Sequence, residues 1–244
     1  MSTAVRNRTW LVATYTVLFV SAAWRAQAQT PADRWTYEIM PYIWGAGIDG
    51  REGAAGVSAH VSASAKDLLD FVNIGASVRI TGAKEPFGWY GEASYIGLQD
   101  DLHTAALGAV RVKSSQTLAE LGLSLDLLPS LGLSVYAGMR YQDLNTILEA
   151  GGTRYEGDHS WVDGVAGAKW MPIQLEHWSA WVRADVGAGG SDLVWLAEAG
   201  GGFHWGSRWS AYLTYRVLDT DYHNGGFVYD ARLSGLLLGF GIRF

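Results

Sequence analysis

From Gly235 to Phe244 large and small side chains alternate. Leu236, Leu238, Phe240, Ile242 and Phe244 fall on one face of an extended chain. Gly235, Gly239, Gly241 and Arg243 fall on the other. A two-residue period of this kind describes a strand with lipid on one side and a crowded polar lumen on the other. The same alternation predicts ten strands, at roughly 35–48, 72–83, 88–99, 109–127, 131–147, 159–170, 178–188, 193–205, 208–222 and 227–244.

The connections alternate in length. Lys84-Glu85-Pro86-Phe87, Pro129-Ser130, Pro172 to His177 and Gly206-Ser207 read as short turns. Between them lie the longer polar or Gly-rich segments 49–71, 100–108, 148–158, 189–192 and 223–226. Short turns at one end and longer loops at the other predict an all-β fold, a closed antiparallel up-and-down transmembrane β-barrel of about ten strands, with eight or twelve as alternatives. An even number places both termini at the periplasmic end. Residues 57–64 also alternate, and are assigned to the first external loop as a hairpin extension, followed by a short helical turn at Lys66–Phe71.

Indole placement agrees with this arrangement. Trp89, Trp170, Trp178, Trp205 and Trp209 lie near the short turns, and Trp35 opens the first strand. They predict a periplasmic aromatic girdle, with Tyr95, Tyr141, Trp195 and Tyr215 forming the external one.

Composition narrows the class. Hydrophobic residues make up 49% of the chain, charged residues 17%, and there are 31 Gly, 12 Trp and no Cys. Disulfides, thiolate metal sites and a cysteine nucleophile are thereby excluded. Arg6 and Arg8, the apolar run Trp10 to Val20 and the small-residue site Ala26-Gln27-Ala28 read as a cleaved signal peptide over residues 1–28, leaving 29–244 as the barrel. Its removal takes away Arg6, Arg8 and Arg25 and no acid, moving the formal charge from −6 to −9. An acidic mature chain argues against nucleic acid as a partner.

Within the strands, parity sends Glu38, Arg79, Glu92, Glu120, Arg140, Asp163, Lys169, Arg183, Asp185, Glu198, Arg216 and Arg243 inward, together with Asp126. A basic residue facing lipid at mid-depth costs about 2–4 kcal/mol, which constrains the assignment. Acids and bases nearly balance. A narrow barrel with such an interior pairs its charges across strands and fills its lumen, whereas a selective pore concentrates one sign.

Candidate chemistry is sparse. His60-x-Ser62 places a base and a nucleophile on one face of an extended segment, the minimum for acyl transfer, with no acid evident beside them. Asp100, Asp101, His103, Asp158, His159, Asp221 and His223 surround the external mouth, where a solvated acidic rim explains them without a cation. His177 and His204 fall near periplasmic turns. Gly187 to Gly190 and Gly200-Gly201-Gly202 read as strand glycines that relieve crowding, not as a phosphate loop. No cofactor or metal site is expected.

Several stretches carry a resemblance. Tyr37 to Gly50, with Pro41-Tyr42-Ile43-Trp44 and Gly47-Ile48-Asp49-Gly50, is similar to the opening of a group of small, mostly uncharacterised Gram-negative outer-membrane β-barrel proteins. Lys66-Asp67-Leu68-Leu69-Asp70, Gly138-Met139-Arg140-Tyr141, Trp161-Val162-Asp163, Leu218 to Tyr222 and Gly225 to Asp230 resemble further landmarks. A final strand ending in Phe244 fits that group. The resemblance implies an integral outer-membrane barrel and brings no catalytic residues. The expected role is non-enzymatic, structural or small-solute porin-like. The alternatives are a deacylase-like lipid-modifying enzyme and adhesion or ligand binding through external loops. The implied partners are outer-membrane lipid, small solutes and, through the C-terminal strand, the barrel-insertion machinery.

Overall fold

The structure, a computed structural model, describes residues 34–54, 57–63, 72–104, 108–150, 153–225 and 227–244, with side chains described at 34–51, 76–97, 115–145, 157–225 and 227–244. The expected signal peptide and the helical turn at Lys66–Phe71 lie outside the described residues.

The described residues form eleven strands in chain order: β1 Thr36–Ala54, β2 Val57–Ala63, β3 Val72–Lys84, β4 Phe87–Thr104, β5 Gly108–Leu128, β6 Leu133–Ala150, β7 Thr153–Gln174, β8 Trp178–Gly189, β9 Leu193–Trp205, β10 Trp209–Asn224 and β11 Phe227–Arg243. Ten of them form a closed antiparallel barrel, because β11 pairs back onto β1 from Glu38↔Arg243 to Gly53↔Val228. β2 is the eleventh. It pairs only with β1, from Ile48↔Ala63 to Ala54↔Val57, and so forms a hairpin on the external end without entering the closure.

Two of the expected external loops are corrected. Segments 100–108 and 148–158 continue as paired strand, β4 with β5 up to Thr104↔Gly108 and β6 with β7 up to Ala150↔Thr153. Polar composition suggested loops there. A strand above the bilayer has no lipid to face, so it loses its apolar row while keeping its ladder. The short turns are tight, and one is a 3-10 turn at Pro129–Leu131 closed by Gly132 at φ 68°. That left-handed conformation suits glycine.

The outer face is built for hydrocarbon. Leu121, Leu123, Met139, Leu213, Leu236 and Leu238 all project outward and exposed. Trp35, Trp170, Trp178, Trp205 and Trp209 ring the short-turn end, and Tyr95, Tyr141 and Tyr215 project outward on the external side. Above Tyr215 the first outward charges appear, where Asp219 accepts a 2.7 Å bond from Arg232, which lies over Trp195. Asp219 stands ten residues beyond Trp209 on β10. At about 3.3 Å per residue and a tilt of about 40° that distance is about 25 Å in height, the apolar band of a transmembrane barrel.

Inward glycines make room for large lumen side chains. A Cβ on Gly200 would stand 2.6 Å from the Trp181 ring, and one on Gly235 would meet the Gly45 carbonyl. These positions set how closely neighbouring strands and lumen aromatics approach.

Candidate functional site

Strand register arranges the inward charges in two rungs. The first runs Arg79 (β3), Glu92 (β4), Glu120 (β5), Arg140 (β6) and Asp163 (β7), each the direct cross-strand partner of the next. The second runs Lys169 (β7), Arg183 (β8), Glu198 (β9) and Arg216 (β10) in the same way. Nine of the twelve lumen charges expected from sequence thus occupy two lines. Both rungs climb from the short-turn end, because the strands tilt as the barrel closes.

Tilt also lets the rungs meet across the interior. Arg79 bonds Glu92 at 2.6 Å and reaches Glu198 of the other rung at 3.2 Å. Arg216 bonds Glu92 at 2.6 Å and Glu198 at 2.5 Å, and Arg183 also binds Glu198. Arg140 binds Glu120 at 2.7 Å and Asp185 at 3.0 Å. Four guanidiniums therefore face four carboxylates, and the Glu198 side chain is fully buried among three of the arginines. Glu38 and Arg243 pair at the short-turn mouth, apart from this belt, at 3.0 Å. Asp163 is fully buried and accepts the Ser191 backbone N–H at 2.8 Å.

Tyrosines complete the belt. Tyr42 donates to Glu92, Tyr136 donates to Asp185 at 2.8 Å, and Tyr212 donates to Glu38 at 2.8 Å. The sequence reading passed over them, although they share the parity of the charges it chose. It also took the whole lumen to be polar, and this is corrected. Above the belt Gln116, Gln142, Thr220 and Tyr229 form a buried cluster with bonds of 3.3–3.5 Å. Around and beyond it the interior is apolar, with Trp44, Leu118, Leu144, Trp161, Val194, Leu196, Leu218 and Leu233 in one buried core. Trp161 stacks on Tyr222 at 4.2 Å and His159 on Phe227 at 3.8 Å. Apolar groups buried there pack against one another as in a soluble core.

The candidate catalytic and metal groups separate. Backbone register sets His60 opposite Arg51 and Ser62 opposite Asp49 on the β1–β2 hairpin, while their side chains lie outside the described residues. The side chains of Asp100, Asp101 and His103 lie outside them as well. Asp158 is exposed and His159 stacks on Phe227, so neither joins the Asp192–Asp221–His223 group. Asp221 and His223 do come together, with Asp192, which the sequence reading left out. His223 Nδ1 lies 2.8 Å from Asp192 and 3.0 Å from Asp221. Near the short-turn mouth the inward side chains of three neighbouring strands chain together: Ser179 to His204 Nε2 at 2.9 Å, and His204 Nδ1 to Ser210 at 2.8 Å. Among the described residues no carboxylate bonds His204, and its backbone N–H is taken by the His177 carbonyl.

The hydrogen bond that His223 Nδ1–H donates to Asp192 holds the exposed imidazole above the ordinary histidine value of about 6.5. The charged form is the bound one. This contribution to stability is therefore complete below pH 6.5 and is lost as pH rises through the raised value. A proton-resonance titration is expected to place the His223 midpoint above that of a free imidazole, and Asp192→Asn should lower it. Equal midpoints in the two proteins would remove the pair from solution.

No protein-family model matches the chain, and no curated protein sequence matches it. Solved structures do overlap with it. Ail, the attachment invasion locus protein of Yersinia pestis, aligns with a TM-score of 0.41 at 10% identity, over 87% of this chain and 99% of that one. Neisserial surface protein A gives 0.37 at 12% identity, over 87% and 100%. The translocator domain of the autotransporter NalP from Neisseria meningitidis gives 0.39 at 13% identity, over 86% and 89%. At these scores the likeness says nothing about the role of this chain.

Proposed function

We propose that the chain is an integral outer-membrane barrel, non-enzymatic, with a lumen sealed by its own side chains, serving as a structural element of the membrane. The observation that carries this reading is the set of bonds crossing the interior. Arg79 on β3 reaches Glu198 on β9, Arg216 on β10 reaches Glu92 on β4, and Gln142 on β6 reaches Thr220 on β10. Each joins walls at least four strands apart in a ten-strand barrel. Outer-membrane placement is supported by the apolar band between its aromatic girdles and by the sequence signature of an exported chain. A lipid hydrolase is disfavoured by the Ser179–His204–Ser210 chain, where hydroxyls take both imidazole nitrogens and, among the described residues, no carboxylate bonds the ring to orient it.

The external hairpins favour a second reading, display of a binding surface. β4 continues nine residues beyond Tyr95, to Thr104, and β6 nine residues beyond Tyr141, to Ala150, so paired backbone rises well above the external girdle. Surface binding of this kind would survive substitution of lumen residues and disappear when the hairpin tips are removed.

The decisive experiment is conductance of the purified, refolded chain from residue 29 in a planar bilayer, with folding confirmed by a heat-dependent gel shift. A silent bilayer is expected. Steady steps that grow with salt would overturn the sealed lumen and restore the porin-like alternative.

A further inference from the structure

We propose that Asp192, Asp221 and His223 bind a divalent transition-metal ion, zinc by their chemistry, on the outer surface of the barrel at the end opposite the short turns. Asp221 and His223 alternate on β10 around the buried Tyr222, so both point outward. Asp192 stands in the β8–β9 turn, and its backbone N–H donates to the Asp221 carbonyl at 2.9 Å, which fixes the turn against β10. His223 Nδ1 lies 2.8 Å from Asp192 Oδ2 and 3.0 Å from Asp221 Oδ1, and the three ligand atoms all lie within 4.8 Å of one another. Composition alone makes these residues part of a solvated rim. Convergence on a single nitrogen sets this trio apart from one.

That nitrogen carries at most one proton. Asp192 accepts its hydrogen bond. Asp221 Oδ1 is shielded from solvent and has no hydrogen bond, although the imidazole nitrogen stands beside it. A metal ion in place of the proton satisfies both oxygens at once. Zinc lies about 2.0–2.2 Å from imidazole nitrogen and carboxylate oxygen, so two ligands at right angles are about 3 Å apart, the spacing found here. Charge favours the ion as well. The trio is singly negative with His223 protonated, and neutral with an uncharged imidazole and a dication. Neighbouring acids on this face have cations of their own. Arg232 bonds Asp219, and Asp230, directly opposite Asp221 on β11, has Arg51 as its partner on β1. Among the described residues no lysine or arginine lies within ion-pair distance of Asp192 or Asp221. One imidazole with two carboxylates suits zinc better than calcium, which takes an all-oxygen shell. The three side chains are partly exposed, so water fills the remaining positions.

This site does not depend on whether the lumen conducts, and its test does not read conductance. The folded barrel in detergent, stripped with a chelator that is then dialysed away, is titrated with zinc chloride at neutral pH while its histidine ring resonances are followed. The His223 signals are identified by their loss in His223→Gln. A saturating change at His223 is expected, with the exposed His177 near the short turns moving only slightly and without saturation. Asp192→Asn and Asp221→Asn should each weaken zinc binding about tenfold or more, since even a partner one shell further out is worth that much. A large excess of calcium should leave the His223 signals where zinc put them. No saturating change at His223 in the wild-type chain overturns the site. An affinity unchanged in either aspartate variant overturns the three-ligand assignment, and displacement of zinc by calcium overturns the assignment to a transition metal. All three substitutions are on the outer surface, so each variant should keep the folded gel band. Should one lose it, the wild-type titration decides.

Discussion

Replacing Glu198 by Gln is expected to lower the unfolding free energy by about 3–5 kcal/mol, the cost of breaking a buried ion pair from one side. The shape of the side chain is kept and only the charge is lost. Arg79, Arg183 and Arg216 then share the single carboxylate of Glu92, and the Glu198 side chain has no exposure through which water could compensate. Urea titration of the barrel in lipid vesicles reads the change. The outward pair Asp219–Arg232 supplies the contrast. Asp219 is partly exposed and Arg232 is largely so, and Asp219→Asn should cost no more than about 1 kcal/mol. Adding Arg183→Gln to Glu198→Gln removes one of the stranded cations, so the double variant should recover part of the loss, as coupled neighbours do. A Glu198→Gln barrel within about 1 kcal/mol of wild type would mean that the belt is hydrated and does not seal the lumen.

The belt was legible because charge and parity act together. In a strand that crosses a bilayer a charged side chain has one tolerable direction, so Glu92 or Arg216 fixes the orientation of every residue around it. Register converts those assignments into rungs without any knowledge of distances. The apolar half of the lumen was hidden by the same reasoning. Trp44 and Trp161 share parity with Glu38 and Asp163, yet their apolarity gives no sign of whether lipid or a packed interior receives them. What decides it is the partner on the opposite wall: Trp161 stacks on Tyr222, three strands away and separated from it by 61 positions. No local pattern in one strand encodes that contact. Hairpin lengths were misread for a related reason. Outside the bilayer the alternation fades, while the ladder of β4–β5 and β6–β7 continues on backbone bonds alone.

Two seals in series predict how the lumen can be opened. Truncating the aromatic cap with Trp161→Ala and Tyr222→Ala removes a stack at 4.2 Å from the external half, while the ion lattice beneath it still spans the interior. Removing a matched pair from the lattice, Glu198→Ala with Arg216→Ala, leaves the cap in place, and deleting both partners strands less charge than deleting one. Barriers in series add, so each double variant alone should remain silent in a planar bilayer. The quadruple variant, folded by gel shift, should give steps proportional to salt. Conductance in the cap variant alone would show that ions pass the lattice and that its bonds open on the timescale of permeation. A quadruple variant that folds and stays silent would place the block elsewhere, with the Gln116–Gln142–Thr220–Tyr229 cluster between the two layers as the remaining obstruction.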